Sequence, residues 1–212
     1  QLLDVLEESL SRLQEDLQGK WRGVVGLWDQ RSDGYKPKHE EHLSNVIARH
    51  IERDLQERRL IVGRELVIQV GIPGGAPGLR TDIGISVVPT GVGRLARGPI
   101  HAVIEVKGSW NPEVLTAMET QLVNDYLVPH SIRYGLYVVG YYTCDVWVCG
   151  ADRARSARLG TVSQLGSRLK SQAASLSPST RELRAVVLNA ALPEANPSRR
   201  GRRGTPERPR RH

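Results

Sequence analysis

Cysteine is almost absent. Cys144 and Cys149 are the only two in 212 residues, and they lack metal-ligand spacing. That excludes a cysteine metal site, fits a reducing cytoplasm, and leaves both residues as small core side chains. No apolar run approaches the length of a membrane-spanning helix, so no membrane partner is expected. The first residues have no signal-peptide pattern. No helix-turn-helix or zinc-finger spacing supplies base specificity. No methionine opens the chain, which starts at Gln1, and the expectation is a piece of a longer protein with an upstream domain.

Positive charge is plentiful but local. Seven arginines and one glutamate fall between Ser198 and His212, which accounts for six of the seven net positive charges. The body is therefore close to neutral, and the basic balance does not by itself make the folded part a nucleic-acid binder. The tail can assist such binding or act as a solvated linker.

Three regions are expected: a helical connector over 1–35, a domain over 36–194, and a basic disordered tail over 195–212. Leucines from Leu2 to Leu17 recur near 3.5 residues, as in a short coiled-coil seam or a helix packed on the domain. Leu43, Val46, Ile47, His50, Ile51 and Leu55 form the apolar stripe of a helix over His39–Glu57. Strands are expected over Leu60–Val70, around Asp82–Val87, over His101–Gly108 and over the apolar run Tyr134–Tyr142. The run suits a strand buried on both faces and reached by a crossover helix. That helix starts at Asn111-Pro112-Glu113 and runs to about Leu127. A capping box, Thr161 with Gln164, starts a helix to Ala174. Asp145–Val148 reads as an edge strand and Glu182–Asn189 as a strand or extended segment. The glycine-rich 72–78 stretch has no following Lys-Ser/Thr pair, so it reads as a plain connection rather than a phosphate loop.

The chemistry concentrates between residues 80 and 107. Strand alternation puts Glu105 and Lys107 on one face and Ala102, Ile104 and Val106 on the other. Asp82 opens the partner strand. Pairing of the two strands brings both carboxylates and the lysine to one end of a hairpin. Two carboxylates suit a hard divalent cation such as Mg²⁺. An ammonium beside them can orient water and neutralise charge developing on a phosphate.

These residues resemble the PD-(D/E)xK nuclease superfamily. Asp82 matches its acidic residue and Glu105-Val106-Lys107 its E-x-K strand; Thr81 stands where the motif has proline. The resemblance covers residues 36 to 150. It implies an α/β restriction-endonuclease-like fold with an αβββαβ core, a mixed central sheet and flanking helices. It also implies a catalytic set of Glu40, Asp82, Glu105, Lys107 and Gln121, with Asp82, Glu105 and the Val106 carbonyl holding Mg²⁺, or Mn²⁺ in its place. Glu40 is carried over from the first-helix glutamate, with Glu41 as its substitute and Glu65 as a further one. Gln121 is carried over from the helix after E-x-K. Four residues separate it from Tyr126, where the RecB-like branch has three, and Tyr126 reads as core.

The expected function is Mg²⁺-dependent hydrolysis of nucleic-acid phosphodiesters, DNA foremost, in a module of a bacterial defence or DNA-processing protein, with a homodimer as one arrangement. Two alternatives stand beside it. One is an inactive nucleic-acid-binding or scaffolding module of the same fold. The other is an unrelated α/β domain in which Glu105 and Lys107 are a surface pair.

Overall fold

The computed structural model describes residues 2–20, 22–56, 60–64, 82–87 and 100–193. Expectations for Glu65, the 65–70 part of the first expected strand, the 72–78 stretch and the 195–212 tail fall outside these residues.

Helix α1 (Leu2–Gln18) is followed by a 3-10 turn (Gly23–Leu27) and a hairpin of β1 (Trp28–Arg31) and β2 (Gly34–Pro37). Then come α2 (Glu40–Asp54), β3 (Leu60–Arg64), β4 (Ile83–Val87) and β5 (Ile100–Gly108). A π helix (Met118–Leu127) leads to β6 (Tyr134–Tyr141), and α3 (Gly150–Arg158), α4 (Val162–Ser175) and β7 (Glu182–Asn189) complete the order. The strands form one mixed sheet in the order β3-β4-β5-β6-β7, antiparallel through β5 and parallel from β5 to β7. The fold is thus α/β, with a five-stranded mixed sheet and helices on both faces.

The two faces hold separate cores. On one side Ala102, Ile104, Val106, Leu136 and Val138 pack with the leucines of α1 and with Leu43, Ile47 and Ile51 of α2. On the other, Val103, Tyr137, Val139, Leu183 and Ala185 meet the π helix and α4. β5 and β6 contribute to both clusters; β6 accordingly has no polar face, whereas β5 carries His101, Glu105 and Lys107 on the face of Val103.

α1 takes the packed position of its two expected ones. Leu3, Leu6, Leu10, Leu13 and Leu17 all lie in the core shared with α2. The two helices are also tied by His50 Nε2 against the Ser9 carbonyl at 2.9 Å and by an Arg12–Asp54 ion pair at 2.7 Å. The β1–β2 hairpin is anchored through Trp28. Its indole N–H donates to the Ala190 carbonyl at 2.9 Å, and its ring meets Tyr142 and Trp147 edge-on.

Three local expectations change. The crossover segment is not a regular α-helix from Asn111. Asn111 does cap, accepting the Glu113 N–H at 2.7 Å, but residues 112–116 are turns and Met118–Leu127 is a π helix. Thr120 donates its hydroxyl to the Thr116 carbonyl, a side-chain competitor that loosens helical bonding locally. Asp145–Val148 is not a strand; Trp147 forms only an isolated bridge to Tyr35. α3 follows, a helix with one buried residue, Ser156, and hence no apolar stripe to betray it. Among the described residues no helix is long and apolar enough to cross a membrane.

Leu6 is fully buried between α1 and the sheet. Leu6→Ala is expected to cost about 2–5 kcal/mol, lowering the melting temperature by roughly 2–4 °C per kcal/mol. A thermal scan that finds wild-type stability would show α1 to be a dispensable attachment.

Candidate functional site

The site grows from a mismatch in strand length. β4 pairs with β5 from Val87↔Ile100 to Ile83↔Ile104 and begins at Ile83, while β5 continues to Gly108. Alternate residues of β5 turn their backbone groups toward β4's side. Past Ile104 these are Val106 and Gly108, and buried amides there need other acceptors. The carboxylate of Asp82, one residue before β4, accepts the Val106 N–H at 2.8 Å. The carboxylate of Glu40, at the first turn of α2, accepts the Gly108 N–H at 2.7 Å. Two residues of strand separate these amides by about 6.7 Å, so the two acids sit in series along one edge.

α2 delivers Glu40 for local reasons. His39 caps the helix, its Nδ1 accepting the Glu41 N–H at 3.4 Å, and two glutamates in the first turn favour the positive end of the helix dipole. The Asn111 amide then grips both Glu40 oxygens at 2.9 and 3.0 Å. Glu40 is therefore brought to the site with its oxygens engaged, and it clasps the end of β5 to the following turn. Glu41 is exposed on α2.

Glu105 and Lys107 lie on the face that carries Val103 and the π helix. They are not a surface pair: Glu105 is 2% exposed and Lys107 8%. Lys107 Nζ donates to Glu105 Oε1 at 2.7 Å. Glu105 Oε2 is buried with no hydrogen-bond partner among the described residues. Burial first, then the nearby Asp82 charge, push the Glu105 carboxyl up to about 7 against the opposing pull of Lys107. Desolvation works against the Lys107 ammonium, but the Glu105 carboxylate outweighs it and the net direction is upward. Lys107 is a cation at neutral pH, and Glu105 is poised between its two states.

Val106 keeps its side chain in the core and gives its N–H to Asp82. Its carbonyl leaves the strand on the same side as that N–H, toward the Asp82 edge. Gln121 is not drawn to the carboxylates; its amide donates to Glu113 Oε2 at 2.9 Å. Tyr126 is buried on the π helix. Burial, then Glu105 and Asp82, raise its hydroxyl pKa, so this core tyrosine also borders the acidic group.

Sequence reasoning missed two supports. Asn111 was legible as a cap through its side-chain oxygen, but its amide hydrogens, which fix Glu40, belong to a contact across 71 residues. Ser109 and Ser156 share a buried hydroxyl bond at 2.6 Å, and both also bind the Tyr142 backbone, locking the turn after Lys107 to α3. No local pattern marks either serine.

Among the described residues, no group of three or more His, Cys, Asp or Glu side chains converges as a metal cluster. A hard cation here would rest on two carboxylates, Asp82 and Glu105, with backbone oxygen and water filling the rest. The unpartnered Glu105 Oε2 and the crowding of negative charge fit such an ion. A cleft of about 410 Å³ is lined by His39 and Trp110, next in sequence to Glu40 and Asn111, and by Lys36 and two ion pairs, Arg31–Asp29 at 3.5 Å and Arg155–Asp152 at 2.7 Å.

No family model, curated protein or solved structure matches the chain.

The raised Glu105 pKa sets a stability window. The folded chain holds this proton more tightly than the unfolded chain, whose glutamate titrates near 4.5. Metal-free stability should therefore fall as pH rises from about 4.5 to about 7, by up to about 3 kcal/mol from this group, and level off above. Urea unfolding across pH checks it. The Glu105→Gln variant should lose this part of the slope; an unchanged slope would mean that Glu105 titrates normally.

Proposed function

We propose that the chain is a metal-dependent nuclease of the PD-(D/E)xK type, hydrolysing phosphodiester bonds in DNA. The observation that carries this is the meeting of Asp82, Glu105 and Lys107 at the end of β5, with Glu40 clasping the strand beside them. The order α2, three antiparallel strands, crossover helix and parallel strand supports the restriction-endonuclease-like fold that the motif implies.

Asp82, Glu105 and the Val106 carbonyl would hold Mg²⁺ or Mn²⁺. When bound, the ion supplies charge neutralisation for the phosphate and acidifies coordinated water. The chain's residues do the rest. Glu105 gives up its proton near neutral pH and offers Oε2. Lys107, a fixed cation, orients the attacking water through its N–H groups and stabilises charge developing on the phosphate. Asn111 holds Glu40, and Glu40 fixes the backbone at Gly108, so both keep the E-x-K segment in place. Lys36, in the cleft lined by His39 and Trp110, provides a cation for a phosphate backbone. The free thiols of Cys144 and Cys149 fit a reducing, cytoplasmic setting.

A non-catalytic binding or scaffolding module of the same fold is the second reading. The near-complete burial of Glu105, closed on its own lysine, favours it.

Activity on supercoiled DNA, linear DNA and RNA with Mg²⁺ or Mn²⁺ separates the two. Lys107→Ala is expected to lose about two to three orders of magnitude in rate while retaining Mg²⁺ binding, assayed well above the Glu105 pKa of about 7. Asp82→Ala should lose metal affinity and cleavage together. DNA binding without cleavage by the wild type would establish the second reading, and two fully active variants would move the site elsewhere.

A further inference from the structure

The cleft of about 410 Å³ opens between the β1–β2 hairpin, the residue before α2, the turn after β5, and α3. Its size suits a small organic ligand, for which sites run from about 300 to 1,000 Å³. It is open to solvent: Arg31, Lys36, His39 and Arg155 are all exposed. Trp110 ties it to the end of β5. A Cβ on Gly108 would lie 2.6 Å from the Trp110 indole nitrogen, so the ring rests on the glycine whose N–H Glu40 holds at 2.7 Å. Arg155 Nη1 reaches the Trp110 carbonyl at 3.5 Å from α3.

The half-buried indole is a fixed, flat apolar wall among charged groups. Such a wall suits a heterocycle, and stacking on an aromatic ring is how proteins hold unpaired bases. The polar lining is of both signs. Asp29 and Asp152 stand with Arg31, Arg155 and Lys36, which leaves one positive charge in surplus. A patch that binds phosphate alone gains nothing from two carboxylates. A base uses both kinds of group: carboxylates accept its N–H hydrogens, and guanidiniums donate to its ring nitrogen and carbonyl oxygen. The surplus cation then meets the phosphate.

These groups have hydrogen-bonding capacity to spare. Arg31 lies 3.5 Å from Asp29, too far for a strong hydrogen bond, and the Asp29 side chain is 42% exposed. Arg155 engages only Oδ1 of Asp152, at 2.7 Å. Lys36 faces Asp29 across the hairpin register, yet makes no ion pair among the described residues. Guanine matches this set most fully. Its N1–H and amino group are adjacent donors that one carboxylate accepts together, and its O6 and N7 are the acceptors that an arginine fork reads.

We infer that the cleft is a binding site for a guanine nucleotide, with the base against Trp110 and the phosphate on Lys36. The nucleotide comes either as an unpaired unit of a nucleic-acid strand or free in solution. As a strand unit it rests on the nuclease proposal and names where a base of the substrate is held. As a free nucleotide it does not depend on that proposal.

Calorimetric titration of the full chain without metal keeps cleavage out of the readout. The probes are GMP, AMP, CMP and UMP, and thymidine pentamers with guanine or adenine at the centre. GMP is expected to bind about tenfold tighter than AMP. Asp29→Asn separates base from phosphate recognition. Removing a negative charge tightens binding driven by phosphate alone, whereas removing an acceptor for the base should weaken GMP about tenfold and leave AMP no weaker. Lys36→Ala, at an exposed side chain, should weaken all four nucleotides. Melting temperatures near wild type confirm that both variants fold. A guanine-centred pentamer that binds tighter than GMP assigns the site to a strand, and GMP binding at least as tightly assigns it to the free nucleotide. No saturable binding of GMP or of the guanine pentamer, equal affinity for the four nucleotides, or tighter GMP binding by Asp29→Asn would overturn the site. Guanine binding that persists in a chain that cuts no nucleic acid with Mg²⁺ or Mn²⁺ would sink the nuclease proposal alone.

Discussion

The fact that β5 outlasts β4 governs the candidate site. An amide on a buried strand must find an acceptor, because leaving it unpaired costs about 1–3 kcal/mol. Val106 and Gly108 lose their strand neighbour where β4 begins at Ile83 and are taken over by the carboxylates of Asp82 and Glu40. Two acids from elements far apart in sequence are thereby fixed at strand spacing. The hydrogen bonds that complete the sheet also create the acidic edge. Ordinary strand extension of β4 would have satisfied the same amides and left no site.

Glu105 and Lys107 occupy the intervening positions, with side chains directed at the face covered by the π helix. Such a pair gains little as a stabilising device, since desolvation offsets much of the Coulombic attraction. Its consequence is a carboxyl shifted to about 7 with one oxygen left over, beside a cation that its own carboxylate maintains. Perturbed groups of this kind gather at functional sites. Around them the protein is tightly bound: Asn111 grips Glu40, and the Ser109–Ser156 bond holds the following turn to α3. Glu105 and Lys107 are thus carried on a strand buried on both faces and restrained at its exit.

The β7 edge shows the same backbone logic with a different outcome. There too the sheet ends and amides fall outside the ladder. Ser177 and Gln14 cap the first and last outward groups, and Ala185 between them is buried where α1 and α4 flank the strand. One unfinished edge is closed by carboxylates; the other is closed by side-chain caps at its ends and by helices between them.

Much of the architecture was legible because it rests on short-range rules. Leucine spacing gave α1 and α2, the unbroken apolar run gave β6 as a doubly buried strand, and Thr161 with Gln164 gave the start of α4 through a capping box that the structure contains. The pleat alone put Glu105 and Lys107 on one face. The π form of the crossover helix escaped notice, because apolar spacing does not specify which carbonyl an amide will choose. α3 escaped because it buries almost nothing. The sequence by itself determined which residues carry charge on β5 and which face they share. Only the tertiary structure decided that Glu40 would clasp Gly108, that Gln121 would turn to Glu113, and that Glu105 would be sealed from water. Those outcomes depend on where strands stop and which helix ends lie beside them, and such distances are set by packing across the chain rather than by neighbours along it.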